Sequence, residues 1–163
     1  MYQAVKISEN VSIGPGHPLC VIAGPCVIEP DENMLFTVCC GLQQICAELG
    51  LGFVFKTSYD KANRTSHKAY RGPGLDQSRS LLERLKKETG ALLLLDVHSV
   101  SEVDSAAAVA DILQIPAFLS RQTDLVSAVA AAGRVVNVKK GQFLAPDDMK
   151  NVVSKIEDRG NRR

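Results

Sequence analysis

The amino-acid order predicts an α/β protein in which short strands of a parallel sheet alternate with longer helices. Five short runs are largely apolar on both faces, which is typical of parallel strands covered from both sides. The segments between them carry apolar residues at helical spacing. Each run is followed by glycine, polar or charged residues, so chemistry-bearing side chains would gather at the carboxyl edge of the sheet.

The five predicted strands lie at residues 19–23, 53–55, 92–95, 112–115 and 135–138. An earlier segment, residues 4–13, alternates roughly between apolar and polar residues and then reaches Gly14-Pro15-Gly16. This alternation, with a turn signal after it, predicts an N-terminal β-hairpin ahead of the main fold.

The first two predicted helices are the longest. The first carries apolar residues at positions 34, 35, 38, 42, 45 and 49 and ends at Gly50. The second, centred on residues 81–85, should begin at Asp76 or Ser78 and end near Gly90.

Three shorter helices are predicted at residues 102–109, 125–132 and 147–156. Asp124 and Pro146 lie near the starts of the last two, where an N-cap and a first-turn proline belong. The strands and helices together make five βα units with no linker or low-complexity tract between them.

Composition narrows the class of protein. The chain has 163 residues, enough for one domain, and 45% of them are hydrophobic, as in a globular protein. A formal net charge of +1 offers no general attraction to nucleic acid. Five cysteines, an odd number, argue against a secreted disulfide framework and predict a cytoplasmic location. No apolar run is long enough to span a bilayer, so we expect no membrane partner. The nearly neutral charge likewise leads us to expect no nucleic-acid partner.

Cationic and hydrogen-bonding side chains are concentrated after the second predicted strand. Residues 56–66 contain two lysines, an arginine, an asparagine and several hydroxyl groups directly after an apolar run. Such groups suit the phosphate and carboxylate groups of a small polar substrate. A second cationic segment, residues 138–143, ends the fifth strand run. The alternative for Lys56 and Lys61 is that they are solvated loop charges, the common environment of lysine.

Functional groups at the carboxyl ends of parallel strands occur in the TIM-type (β/α)₈ barrel and in open doubly wound sheets. Neither a Gly-x-Gly-x-x-Gly fingerprint nor a Walker loop is present, which disfavours a nucleotide-binding sheet. A full barrel has eight units in roughly 250 residues. We therefore predict that residues 1–163 form a single partial barrel domain of about five βα units, preceded by the hairpin and lacking the C-terminal part of the barrel.

The strand-end motifs form a recognisable series. In chain order they are Ala23-Gly24-Pro25-Cys26, Phe55-Lys56-Thr57-Ser58, Asp60-Lys61-Ala62-Asn63-Arg64, Arg71-Gly72-Pro73-Gly74-Leu75, Asp96-Val97-His98, and the segments 114–119, 121–125 and 138–146. This series resembles the 3-deoxy-manno-octulosonate 8-phosphate (Kdo-8-phosphate) synthase family over nearly the whole chain. The related DAHP synthases share the Gly-Pro-Cys motif but carry a Lys-Pro-Arg-Thr-type segment where this chain has Lys56-Thr57-Ser58.

The resemblance implies an enzyme that condenses phosphoenolpyruvate with D-arabinose 5-phosphate. The products would be 3-deoxy-D-manno-octulosonate 8-phosphate and inorganic phosphate, in Kdo and lipopolysaccharide biosynthesis. The family forms tetramers, so a homo-oligomer is expected if the chain is complete.

The resemblance also implies roles for individual residues. The implied phosphoenolpyruvate ligands are Lys56, Lys61 and Lys140, and the residues implied to line its pocket are Gln114 and Ala117. The implied clamp on arabinose 5-phosphate is Asn63, Arg64 and Ser66, with Asp96 on a sugar hydroxyl. The resemblance also implies that Ser58 binds substrate and that Arg121 and Gln142 support the site. Of all these, Lys56, Asn63, Asp96 and Lys140 are the implied catalytic residues.

One divalent metal ion is implied through Cys26. The metal-dependent branch of the family has a ligating thiolate at this position, and the metal-independent branch has asparagine. The remaining ligands, a His, a Glu and an Asp, would come from the C-terminal portion that we expect this chain to lack, as would an arginine for the phosphate of phosphoenolpyruvate. We therefore expect a metal only if those ligands are supplied, and no cofactor otherwise.

Several interpretations stay open at this point. Taken alone, Cys26 could be a small buried residue and His98 a core histidine. Arg71 could reach a substrate or a neighbouring subunit. The whole chain could be a synthase, a truncated and inactive remnant or half-barrel that needs a complementary chain, or an open α/β binding protein.

Overall fold

The structure is a computed structural model that describes residues 3–163. These residues form two compact units, one up to Leu95 and the other from Asp96 to Arg163. Five parallel strands follow one another in sheet order as they do in the chain, after a separate antiparallel pair. This architecture confirms the predicted fold class, an incomplete (β/α)₈ barrel preceded by a hairpin. That residues 1–163 make one domain stays a prediction.

The hairpin opens the first unit. Strand β1 (Val5–Lys6) pairs antiparallel with β2 (Ser12–Ile13). The connection is closed at Val11, whose carbonyl accepts hydrogen bonds from Ile7 N at 2.9 Å and Ser8 N at 3.1 Å. The turn therefore lies between the two strands, and Gly14-Pro15-Gly16 follows the hairpin as the connection to the next strand.

Three parallel strands and two long helices make up the rest of this unit. The strands are β3 (Cys20–Ala23), β4 (Gly52–Thr57) and β5 (Leu93–Asp96), the last of which crosses into the second unit. The helices are α1 (Glu32–Glu48) and α2 (Leu75–Thr89). Asp31 caps α1 by accepting a hydrogen bond from Asn33 N at 3.0 Å. Gly90 ends α2 in the left-handed conformation with φ 68°, as predicted.

The second unit contains two further strands and three short helices. The strands are β6 (Ile112–Ile115) and β7 (Val135–Val138), which pair in parallel. The helices are α3 (Val103–Ala107), α4 (Thr123–Ala131) and α5 (Met149–Glu157). Single 3-10 turns at Val100–Glu102, Ala117–Leu119 and Pro146–Asp148 come before them. Pro146 opens the last of these turns, where a proline costs no hydrogen bond.

Burial differs between the middle and the ends of the sheet order. All four residues of β5 and of β6 are buried, as strands covered on both faces should be. In β3, by contrast, Ile22 is 41% exposed, and β7 is only partly buried. The prediction that all five runs are covered on both faces is therefore wrong for β3 and β7, the first and last strands of the order.

The helices and the cysteine thiols have two further properties. None of the helices between residues 3 and 163 combines the length and the apolar character needed to cross a bilayer. The five cysteines all carry free thiols. Burial raises the pKa of the Cys39 thiol, which lies on the buried face of α1 and so has less thiolate character.

Candidate active site

Two lysine side chains converge on one serine hydroxyl at the carboxyl end of β4. Lys56 is half-buried near the end of the strand, and its Nζ lies 2.6 Å from Ser58 Oγ. Lys61 Nζ lies 2.8 Å from the same oxygen. Ser58 is fully buried, and its backbone is held by a hydrogen bond from Ile28 N to Ser58 O at 2.9 Å. Two positive charges thus meet at one point, an arrangement that suits an anionic ligand.

The loop after β4 is held by the segment that precedes α2. Gly74 N donates to Tyr59 O at 3.0 Å, and Lys61 N donates to Arg71 O at 2.7 Å. Arg71 Nε donates to Asp60 Oδ1 at 2.8 Å, and a second guanidinium nitrogen donates to Oδ2. These hydrogen bonds and the negative charge of Asp60 raise the pKa of Arg71. The guanidinium of Arg71 is therefore bound to Asp60, which the sequence had not indicated.

The predicted sugar-phosphate clamp lies on an exposed part of the same loop. Asn63, Arg64 and Ser66 are all exposed. Arg64 Nε donates to Tyr70 O at 3.1 Å, and Tyr70 Oη in turn donates to Ile28 O at 3.0 Å. The loop is thus tied to the backbone after β3, while its cationic and amide groups face solvent. Their role as a clamp stays a prediction.

The Gly-Pro-Cys motif follows β3 directly. A Cβ on Gly24 would lie 2.1 Å from Lys56 O, so only glycine permits this close approach of the two strand ends. Cys26 is exposed and has a free thiol.

A metal site needs more donors than Cys26 can provide. Zinc, for example, takes at least three protein ligands. Within residues 3–163, no three His, Cys, Asp or Glu side chains come together in a way that could hold an ion. The described donors therefore do not fit a complete metal site, and we assign no step to a metal. Cys26 stays a predicted ligand.

In the second unit, a histidine lies between two carboxylates at the end of β5. His98 Nε2 is 3.4 Å from Oδ2 of the buried Asp96, and His98 Nδ1 is 3.9 Å from Glu102 Oε2. The same Glu102 oxygen accepts hydrogen bonds from His98 N at 2.9 Å and Ser99 N at 3.0 Å. The side chain of Glu102 thereby fixes the backbone that carries His98, and His98 lies beside the predicted sugar ligand Asp96.

The predicted pocket residue Gln114 is buried and paired across two strands. Its Oε1 accepts a hydrogen bond from Asn137 Nδ2 at 2.8 Å, and the two residues are register partners in β6 and β7. With one lone pair of its amide oxygen engaged, Gln114 can still offer a ligand its Nε2 donor. Ala117 opens the short turn after β6, and its carbonyl accepts from Ser120 Oγ at 2.9 Å.

Lys140 is bound to its own loop. Its Nζ donates to Gly141 O and to Leu144 O, both at 2.9 Å. To bind a substrate, the ammonium group would have to exchange these carbonyls for ligand oxygens. Gln142 and Arg121 are exposed. The substrate roles of all three residues stay predictions.

Three contributors to these clusters were not predicted. Asp60 binds Arg71, Glu102 holds the His98 backbone, and Asn137 orients Gln114. A sequence signal existed for two of them: Asn137 interrupts an apolar strand run, and Ser99 to Glu102 has the spacing of a capping box. Nothing in the sequence pattern indicated which partner Arg71 would have.

Comparison with known proteins agrees with the motif series. A protein-family model described as the DAHP synthetase I family matches residues 3–163. The chain belongs to this family. Membership is consistent with the polar strand ends that both units carry.

Within the DAHP synthetase I family, curated relatives named 2-dehydro-3-deoxyphosphooctonate aldolase are similar to this chain. The protein from Syntrophotalea carbinolica is 51% identical over 163 residues, which are all of this chain and 58% of the relative. The protein from Pelobacter propionicus is 56% identical over 93% of this chain, which corresponds to 56% of the relative. The protein from Azoarcus sp. is 55% identical over 90% of this chain, which corresponds to 52% of the relative.

These names confirm the resemblance to the Kdo-8-phosphate synthases, because 2-dehydro-3-deoxyphosphooctonate aldolase is another name for that enzyme. The chain spans about half the length of the curated relatives that it matches.

Proposed function

We propose that this chain carries substrate-binding groups for the condensation of phosphoenolpyruvate with D-arabinose 5-phosphate. One water molecule is consumed, and the products are 3-deoxy-D-manno-octulosonate 8-phosphate and inorganic phosphate. The methylene carbon of phosphoenolpyruvate forms the new bond to the aldehyde carbon of the sugar, and the aldehyde oxygen takes up a proton. The oxygen of water bonds to the neighbouring carbon, which becomes the keto carbon as its bond to the phosphate oxygen breaks; one proton of the water goes to the former aldehyde oxygen and the other leaves with the phosphate.

The observation that carries this proposal is the meeting of Lys56 and Lys61 at Ser58 Oγ. Both substrates are anions, and phosphoenolpyruvate bears a carboxylate and a phosphate close together. Charge-assisted hydrogen bonds from two ammonium groups would hold one of these groups and orient the methylene carbon. The same positive charges would stabilise negative charge that builds up on substrate oxygens during the reaction.

The remaining roles follow the family resemblance. Asn63, Arg64 and Ser66 would bind the sugar phosphate. In the second unit, Asp96 would accept a hydrogen bond from a sugar hydroxyl, and its neighbour His98 would keep the carboxylate oriented. The groups proposed to line the phosphoenolpyruvate pocket and support the site are Lys140, Gln114, Ala117, Gln142 and Arg121.

Location and assembly complete the proposal. Five free thiols suit the reducing cytoplasm, so we propose a cytoplasmic protein. We also propose a homo-oligomer, which size-exclusion chromatography with light scattering would test.

Isothermal titration calorimetry with phosphoenolpyruvate tests the proposed anion site at Lys56, Lys61 and Ser58. Lys61→Met should weaken binding by about 1.5–3 kcal/mol, because one charged hydrogen bond is lost. Lys87→Met, which removes an exposed lysine on α2, is the matched control and should leave binding unchanged. Equal affinities of the Lys61 variant and the unaltered protein would contradict the site.

A second assay separates catalysis from binding. Mixing the protein with both substrates and following inorganic phosphate should show release if this chain catalyses the reaction. Substrate binding without phosphate release would favour the interpretation of a half-barrel that needs a complementary chain.

A further inference from the structure

An ion pair between Asp60 and Arg71 lies next to the lysine–serine cluster in the chain. Two guanidinium nitrogens donate to the two carboxylate oxygens, one of them at 2.8 Å, so the pair is bidentate. Asp60 directly precedes Lys61, and the backbone of Lys61 donates to Arg71 O at 2.7 Å. Arg71 is therefore linked to this two-residue segment twice, once through its side chain and once through its carbonyl.

Stability alone gives a weak reason for this pair. The side chains of Arg71 and Asp60 are 56% and 21% exposed, and exposed ion pairs add little to stability because water and salt screen them. The pair does neutralise the charge of the residue that directly precedes Lys61 in the chain. Without Arg71, the Asp60 carboxylate would carry an uncompensated negative charge one residue from Lys61. That charge would repel an anionic ligand and would compete with it for the Lys61 ammonium group.

We propose that Arg71 is a positioning residue that neutralises Asp60 and so keeps the charge of Lys61 directed to an anionic substrate group. This inference rests on the proposed function, because it assumes that Lys56 and Lys61 bind an anion. The inference gives Arg71 a specific role in the site formed by Lys56, Lys61 and Ser58. Arg71 acts here through Asp60 and need not touch the ligand.

The two partners of the pair give opposite predictions, which a purely structural role would not. Titrations would use phosphoenolpyruvate and, separately, inorganic phosphate as probes. Arg71→Met leaves the carboxylate uncompensated and should weaken binding about three- to tenfold. Asp60→Asn removes the negative charge and should leave binding equal or tighter. If the pair only braces the loop, both variants weaken that brace, and Asp60→Asn should also weaken binding, to a smaller extent because the asparagine oxygen can still accept from Arg71.

The double variant Asp60→Asn with Arg71→Met provides the decisive comparison. It has no negative charge to neutralise, so its affinity should return to near that of the unaltered protein. Arg79→Met, which breaks the exposed Arg79–Glu83 pair on α2, is the control for loss of an arginine and should have no effect.

The outcomes separate this inference from the proposed function. If the unaltered protein binds neither probe, both fail together. If it binds and the Arg71 variant binds equally well, or the double variant is as weak as Arg71→Met, only the role of Arg71 is overturned.

Discussion

At the scale of single residues, the candidate site is built on the contacts of the Lys56 and Lys61 ammonium groups with Ser58 Oγ. Lys56, Lys61 and Ser58 were expected in one site, and the structure brings them together. For Arg71 the sequence offered two alternatives, and the structure shows a third, the Asp60 carboxylate. A long cationic side chain can reach many groups, and only the path of the loop selects among them.

Gly24 allows the close approach of the ends of β3 and β4 to be tested by a single substitution. Gly24→Ala should lower the free energy of unfolding by about 3 kcal/mol or more, since the new Cβ would lie 2.1 Å from Lys56 O and 3.0 Å from the ring of Phe55. Urea denaturation would measure the change. Gly41→Ala is the control: its Cβ meets nothing within 4 Å in α1, so it should stabilise by up to about 1 kcal/mol. Similar stabilities of the two variants would contradict the close approach of the strand ends.

At the scale of elements, the strands were predicted more accurately than the helix starts. The runs at 112–115 and 135–138 match β6 and β7 residue for residue. The predicted starts of α2 at Asp76 or Ser78 are wrong, because Gly74 occupies the cap position without a side-chain hydrogen bond. Ser78 Oγ instead donates to Gly74 O at 2.6 Å. Helix starts depend on a single local contact, whereas a strand is indicated by several consecutive apolar residues.

Asp124 shows the same effect. It was predicted as the N-cap of α4, but Gln122 occupies that position and Asp124 lies in the first turn. An acidic residue is favourable in either place because of the helix dipole. Its presence therefore indicates the region of the start more reliably than the exact residue.

Asn161 connects the end of α4 to the segment after α5. Its buried side chain donates to Ala130 O at 3.0 Å and Arg134 O at 2.9 Å, and its Oδ1 accepts from Arg163 N at 2.9 Å. Asn161→Ala should lower the free energy of unfolding by about 2–3 kcal/mol, because three hydrogen bonds are lost and two carbonyls lose a partner. Chemical denaturation would measure this loss.

The control for this prediction is Asn151→Ala, at an exposed position of α5. It should change stability by no more than about 0.5 kcal/mol. If both alanine variants lose the same small amount, the Asn161 contacts do not contribute as proposed.

At the scale of the whole molecule, the order of strands and their unequal burial make a prediction about hydrogen exchange. Amides of β5 and β6, whose residues are all buried, should exchange at least about tenfold more slowly than those of β3 and β7. Val136 should be an exception within β7, since its amide donates to Arg163 O at 3.0 Å. Exchange measured residue by residue with NMR would check this. Equal protection in all four strands would show that β3 and β7 are covered in solution.

The amino-acid order alone was enough to find five βα units, the N-terminal hairpin and the family, because apolar periodicity and strand-end motifs are local properties of the chain. Which polar groups meet required the tertiary structure. Arg71 lies 11 residues from Asp60, and Asn137 lies 23 residues from Gln114. Hydrogen bonds form between groups that are close in space, and the folded path of the backbone sets that distance. For the same reason, the sequence predicted that Lys56 and Lys61 bind an anion. Only the tertiary structure shows that both ammonium groups contact Ser58 Oγ.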